Sequence, residues 1–122
     1  MRHFYNWNDF PVEEVYPNIH RRIVSGSKVM LNKAEAKAGT NVPGHRHAAE
    51  MILFVLSGNL TWWVGDDEAT REEKRMGPGD IMIVPSKVLH GATIHEDSVF
   101  IDAFSPPKLG YLMGYIGPDE DA

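Results

Sequence analysis

The sequence contains no cysteine. That absence excludes a disulfide framework, a thiolate zinc site, a thiol nucleophile and a redox switch. Long hydrophobic runs are also missing. The longest, Met51–Leu56, has six residues, against about 20 for a membrane-spanning helix. Basic residues are in deficit, with 12 Lys and Arg against 17 Asp and Glu, giving a formal net charge of −5. A chain with that balance lacks the basic face that nucleic acid or an anionic membrane requires, so neither is expected as a partner. The residues Met1–Trp7 contain no apolar stretch of the kind a secretory signal needs. Together with the missing cysteines this leads to the expectation of a cytoplasmic protein.

Helix signals are sparse as well. Glu68–Arg75 is polar all round and reads as a solvated turn or hairpin tip, and Leu109–Ile116 reads as a short terminal helix weakened by Gly110 and Gly114. What the chain does have is punctuation: 11 glycines and 8 prolines in 122 residues, with β-branched and aromatic runs between them. That spacing predicts many short strands and an all-β barrel or sandwich. The expected strands are Arg21–Val24, Val29–Lys37, Met51–Leu56, Asn59–Val64, Ile81–Val84, Gly91–Ile94 and Ser98–Phe104. No linker divides the chain. A single domain over 1–122 is expected, with a barrel core at about 19–106, an N-terminal arm over 1–18 and a C-terminal extension over 107–122. The arm carries Phe4, Tyr5, Trp7 and Phe10, too many aromatics to hang in water. They are expected to cover an edge strand or a second subunit, hence a homodimer.

The chemistry lies in the histidines. His45 and His47 flank Arg46, and in a strand residues two apart share a face. His90 follows the turn beginning Pro85-Ser86-Lys87 and supplies the distant third imidazole that a metal site needs. Imidazole donors suit Zn, Fe, Ni and Cu, and without thiolates the softest-metal sites are disfavoured; one divalent ion, Zn, Ni, Mn or Fe, is expected. Residues 45, 47 and 51 share parity, so Met51 is expected to face the cavity and Glu50 to face away. The alternative is that a turn at Ala48-Ala49 swings Glu50 in as a fourth ligand. Trp62 and Trp63 are adjacent, so one should face inward, where a ring could stack on a substrate. Arg21, Arg22 and Arg46 read as surface charge.

Gly39, His45, His47 and Gly58 match the first motif of the cupin superfamily, G-x5-H-x-H-x3-4-E-x6-G; Gly79, Pro85 and His90 match the second, G-x5-P-x-G-x2-H-x3-N. Lys87 stands where the second motif has glycine and Ile94 where it has asparagine. The chain thus resembles cupins, which implies a double-stranded β-helix, a jelly-roll-like barrel with a divalent metal on the three histidines and one further side chain. The run Asp102-Ala103-Phe104-Ser105-Pro106-Pro107-Lys108 is similar to the small single-domain cupins of the pectin-degradation KdgF type. Those open unsaturated uronate monomers to a linear keto form with a bound metal. Carried over by position, Asp102 and Phe104 would line the pocket and Lys108 stands in for an arginine, while Met51 replaces a polar glutamine. The resemblance implies a metal-dependent enzyme acting on a small oxygenated organic acid or carbohydrate, by isomerisation, ring opening or tautomerisation. Asp102 would be the catalytic acid/base, with Met51, Trp62, Phe104 and Lys108 against the substrate. An Fe(II) three-histidine dioxygenase and a non-catalytic sensor or binding cupin are the alternatives on the same scaffold.

Overall fold

A computed structural model describes residues 2–108. Its elements are β1 (Glu13–Tyr16), β2 (Ile19–Ser25), β3 (Met30–Ala36), β4 (Asn41–His45), β5 (Glu50–Val64), β6 (Glu72–Met76), β7 (Ile81–Val84) and β8 (His90–Ser105). All pairings are antiparallel, in the order β1-β2-β3-β8-β5-β6, with β4 also on β8 and β7 also on β5. No helix among the described residues is long and apolar enough to cross a membrane. The sheet wraps on itself, because side chains from β1 to β5 and β8 line one cavity.

Alternation sets which side chains go inward. In β3 the buried residues are Met30, Asn32, Ala34 and Ala36, and in the second half of β8 they are Ser98, Phe100, Asp102 and Phe104. β5 buries Met51, Leu53 and Val55, then Leu60 and Trp62. The inward set thus changes from odd to even numbers midway along one strand. The cause is a bulge at Ser57-Gly58-Asn59, where the pairing with β8 shifts register. Gly58 has φ +98°, and a Cβ there would lie 2.5 Å from the Asp97 carbonyl oxygen and collide with Ser98 Oγ. Ser98 Oγ in turn accepts from the Asn59 N–H at 3.1 Å and donates to the Glu96 carbonyl at 2.8 Å, fixing both strands at the bend.

Several expectations are adjusted here. Met51–Leu56 and Asn59–Val64 are one strand, since the bulge bends the chain without ending its pairing. Gly91–Ile94 and Ser98–Phe104 likewise belong to one 16-residue strand. The polar stretch expected as a turn contains β6, whose ladder with Leu60–Val64 needs no apolar face; only Met76 is buried. Its charges suit an edge strand. β1 lies inside the segment expected as an arm and pairs with β2. Ahead of it, a 3₁₀ turn at Trp7–Asp9 is capped by Asn6 and pinned by Arg22, whose Nη1 donates to the Trp7 carbonyl at 3.0 Å. Lys33 Nζ lies 5.8 Å from the Trp7 ring centroid, so the arm does cover sheet, while Phe4 stays 88% exposed. The expected helix Leu109–Ile116 lies outside the described residues.

Replacing Gly58 by Ala should cost more than about 2 kcal/mol, since it combines a left-handed backbone with contact against backbone atoms. Urea unfolding measures it. A variant within about 0.5 kcal/mol of wild type, the range of neutral surface changes, would show the bend to be pliable.

Candidate metal centre

β4 ends on His45, the following loop presents His47, and β8 begins with His90. His45 and His90 are register partners across β4 and β8, next to an irregularity between Val42 and His45 that holds Pro43 and Gly44. His47 is tied to the other side of the site by its carbonyl, which accepts from the Lys87 N–H at 2.7 Å. Lys87 has φ +65°, so the position where the cupin motif carries glycine is in the left-handed region here too, with lysine bearing the strain.

The three imidazoles converge: one ring nitrogen from each lies within 4.8 Å of the other two. Ring centroids are 4.2 Å apart for His45 and His90 and 4.7 Å for His47 and His90. Each Nδ1 meets a carbonyl two residues away, Pro43 for His45 at 2.9 Å, Ala49 for His47 at 2.8 Å and Val88 for His90 at 2.8 Å. A carbonyl oxygen only accepts, so Nδ1 must carry the proton, and in the neutral ring Nε2 keeps its lone pair. His90 Nε2 is buried with no hydrogen-bond partner among the described residues. Three imidazoles whose Nδ1–H bonds leave Nε2 as the convergent donor in the neutral ring fit a divalent metal. Burial, then the adjacent His45, pushes His90 down to about 3; His47 and Lys108 add to this, and the Val88 hydrogen bond opposes it.

The floor of the site is set from outside. Trp63 pairs with Gly91 across β5 and β8. A Cβ on Gly91 would lie 2.7 Å from its indole, and one on Gly44 2.8 Å. These two glycines directly adjoin His90 and His45, so the indole lies flat behind the strands that carry them. The Arg71 guanidinium covers its outer face at 4.0 Å from a ring centroid.

Facing the histidines is a small half-open cavity. Met51, Trp62 and Phe104 line it, together with Asp102. Glu50 is exposed on the other face of β5 and stands outside the histidine cluster. Trp62 takes the inward position, its ring 6.1 Å from that of His90, and the Phe104 edge meets His47 at 5.5 Å. Asp102 is 6% exposed. Its Oδ2 accepts from the Asn32 amide at 3.0 Å, and its Oδ1 has no hydrogen-bond partner among the described residues. Burial pushes its carboxyl up to about 7, against the Asn32 hydrogen bond and the positive charges of Lys108 and Arg21. Lys108 is 2% exposed, its Nζ 5.1 Å from the Phe104 ring centroid. Of the residues expected at the site, His45, His47, Met51, Trp62, Asp102 and Phe104 line the cavity, His90 stands against His45 and His47, Lys108 lies by Phe104, and Glu50 is outside.

Residues 33–104 match the cupin-domain family. The chain is a cupin. This cupin is 28% identical over 116 residues to the pectin degradation protein KdgF of Dickeya dadantii, covering 92% of this chain and 100% of the relative. A solved KdgF structure from Halomonas sp. superposes with a TM-score of 0.81 at 28% identity, over 92% of this chain and all of that one. Acireductone dioxygenase of Bacillus subtilis is 30% identical over 53 residues, 43% of this cupin and 30% of the dioxygenase. The relatives are enzymatic cupins, and with the histidine cluster they point to a metal ion.

Two site residues lay outside the sequence expectations. Arg21 is 8% exposed and lines the cavity, where surface charge was expected. Its position two residues from buried Ile19 on an alternating strand was the available signal. Asn32, the partner of Asp102, sits at an inward parity position of β3.

The shifts of His90 and Asp102 oppose each other in the metal-free protein. His90, with its pKa depressed from 6.5, contributes stability above pH 6.5 that is lost as pH falls toward about 3. Asp102, raised from 3.8, contributes stability below pH 3.8 that is lost as pH rises through about 7. Asp102→Asn removes the second trend. Chelator-treated Asp102→Asn should lose urea resistance more steeply than wild type between pH 6.5 and 4. Parallel profiles would contradict the opposition.

Proposed function

We propose that this cupin is a metal-dependent enzyme that opens the ring of an unsaturated uronate, or a similar small oxygenated acid, to a linear keto form, as the KdgF likeness suggests. The observation that carries the reading is the Asp102 carboxyl, raised to about 7 and lining one cavity with His45 and His47 of the convergent three-histidine cluster. His45, His47 and His90 hold one divalent metal, with Met51 lining the cavity and Glu50 left in solvent. When bound, that ion supplies Lewis-acid polarisation of a substrate oxygen. Asp102 moves the proton: Asn32 fixes one oxygen, and the other faces no protein donor among the described residues. A carboxyl with pKa near 7 takes up and releases a proton at neutral pH with little penalty in either direction. Met51, Trp62 and Phe104 exclude water beside it, and the Lys108 ammonium, by the Phe104 ring, favours the ionised form of Asp102.

Asp102→Asn should leave metal content unchanged while turnover of an unsaturated uronate falls about 10²–10⁴-fold. Unchanged turnover would remove the proton-transfer role. His47→Ala and His90→Ala should each lower metal content and melting temperature together, because a metal bound only to the folded state stabilises it. Full metal occupancy in both, by elemental analysis, would refute the ligand assignment.

The partial likeness to acireductone dioxygenase supports a second reading, an Fe(II) dioxygenase in which three nitrogen donors leave positions for substrate and oxygen. Iron in the purified protein and substrate-dependent oxygen uptake would favour it. A homodimer is supported by the outer face of β5 and β7, where Ile52, Ile81 and Ile83 remain 42%, 65% and 60% exposed and Ile52 pairs with Ile83. Sedimentation velocity tests it.

A further inference from the structure

Arg21, Arg22 and Lys108 are three cations in different settings. Arg22 points outward and holds the N-terminal turn. Lys108 has its ammonium against the Phe104 ring. Arg21 is different: its side chain is 9% exposed and borders the substrate cavity together with Asn32, Asp102, His45 and His47. It reaches there because it follows Ile19 at the inward parity of β2, opposite Ala34, a small residue that leaves room for it.

A guanidinium this deep needs anionic company. Its Nη2 meets Glu13 Oε2 at 3.4 Å, a long contact for a charged pair, and Glu13 is itself 33% exposed. Glu13 sits on β1, an edge strand of four residues that also contributes Val15 and Tyr16 to the cavity wall. The arrangement is a buried cation at the cavity, near Asp102 and in contact with a carboxylate at the rim. A planar fork of this kind is suited to two-point recognition of a carboxylate, which a lysine ammonium cannot offer.

We propose that Arg21 is the carboxylate anchor of the substrate cavity, and that Glu13 is the internal carboxylate which an incoming acid displaces from it. The proposal rests on reading this cavity as the substrate site. It gives the acid group of that substrate a seat and the ligand a direction. The acid group lies toward β1 and β2, and the rest of the molecule lies between Asp102 and the three imidazoles. Departure of the product is then helped by Glu13 returning to the guanidinium.

The test compares binding, by calorimetry, of D-galacturonate and its methyl ester to the metal-loaded protein. Wild type should prefer the acid by roughly 10–100-fold, the range for a hydrogen-bonded charge. Arg21→Gln should abolish that preference, and Arg21→Lys should keep part of it, since charge survives without the fork. Glu13→Gln should tighten acid binding several-fold and leave ester binding alone. The acid-to-ester ratio within each variant is insensitive to a general loss of stability, so a weakened fold does not mimic the result. A wild type without acid preference, or an Arg21→Gln variant that retains it, overturns the anchor. Glu13→Gln without effect on acid binding overturns the displacement. If acid preference behaves as expected but no unsaturated uronate is turned over, the ring-opening reading fails and the anchor stands.

Discussion

The site depends on the pairing of two long strands, β5 and β8. They run beside each other from Glu50–Ser105 to Val64–His90, and every other pairing except β1–β2 and β2–β3 uses one of them. β8 carries His90 at one end and Asp102 and Phe104 near the other; β5 carries Met51 and Trp62. Chemistry drawn from both ends of the ladder is thus mounted on one hydrogen-bonded frame. A rigid frame of this kind keeps reacting groups in register without requiring each to be packed independently.

Electrostatics inside the frame is balanced by opposites. The site gathers three imidazoles, of which His90 is kept neutral by burial and its neighbours, a carboxyl raised by burial, and the cations of Lys108 and Arg21, which pull that carboxyl back. Without the cations the acid would sit higher and hold its proton more tightly. A cavity lined by Met51, Trp62 and Phe100 makes each of these interactions stronger than it would be in water.

The histidine cluster was readable because it obeys local rules: two residues on one face, then a third after a glycine- and proline-marked turn. The inward Met51 followed from parity alone, as did the outward Glu50. Arg21 and Asn32 were not readable in the same way. A charge or an amide on a strand gives no sign by itself of which side it takes, and the phase of β2 is set by its register with β3, at Ile19–Ala36 and onward. β6 was hidden because its strand status comes from backbone pairing with β5 and not from its own composition. The cupin likeness covered the motifs but said nothing about β1, which closes one wall of the cavity.

The phase change in β5 has an evolutionary reading. Met51 and Trp62 are 11 residues apart, an odd separation that a regular strand would send to opposite faces. Both look into the cavity only because, across the bend at Gly58, β5 spends five residues from Val55 to Leu60 where β8 spends six from Phe100 to Ile94. Deleting one residue there would leave a perfectly good strand whose two halves disagree about which side is the inside. Loss or gain of a pair would preserve the agreement. At this bend the length of the chain is therefore restricted to changes in steps of two.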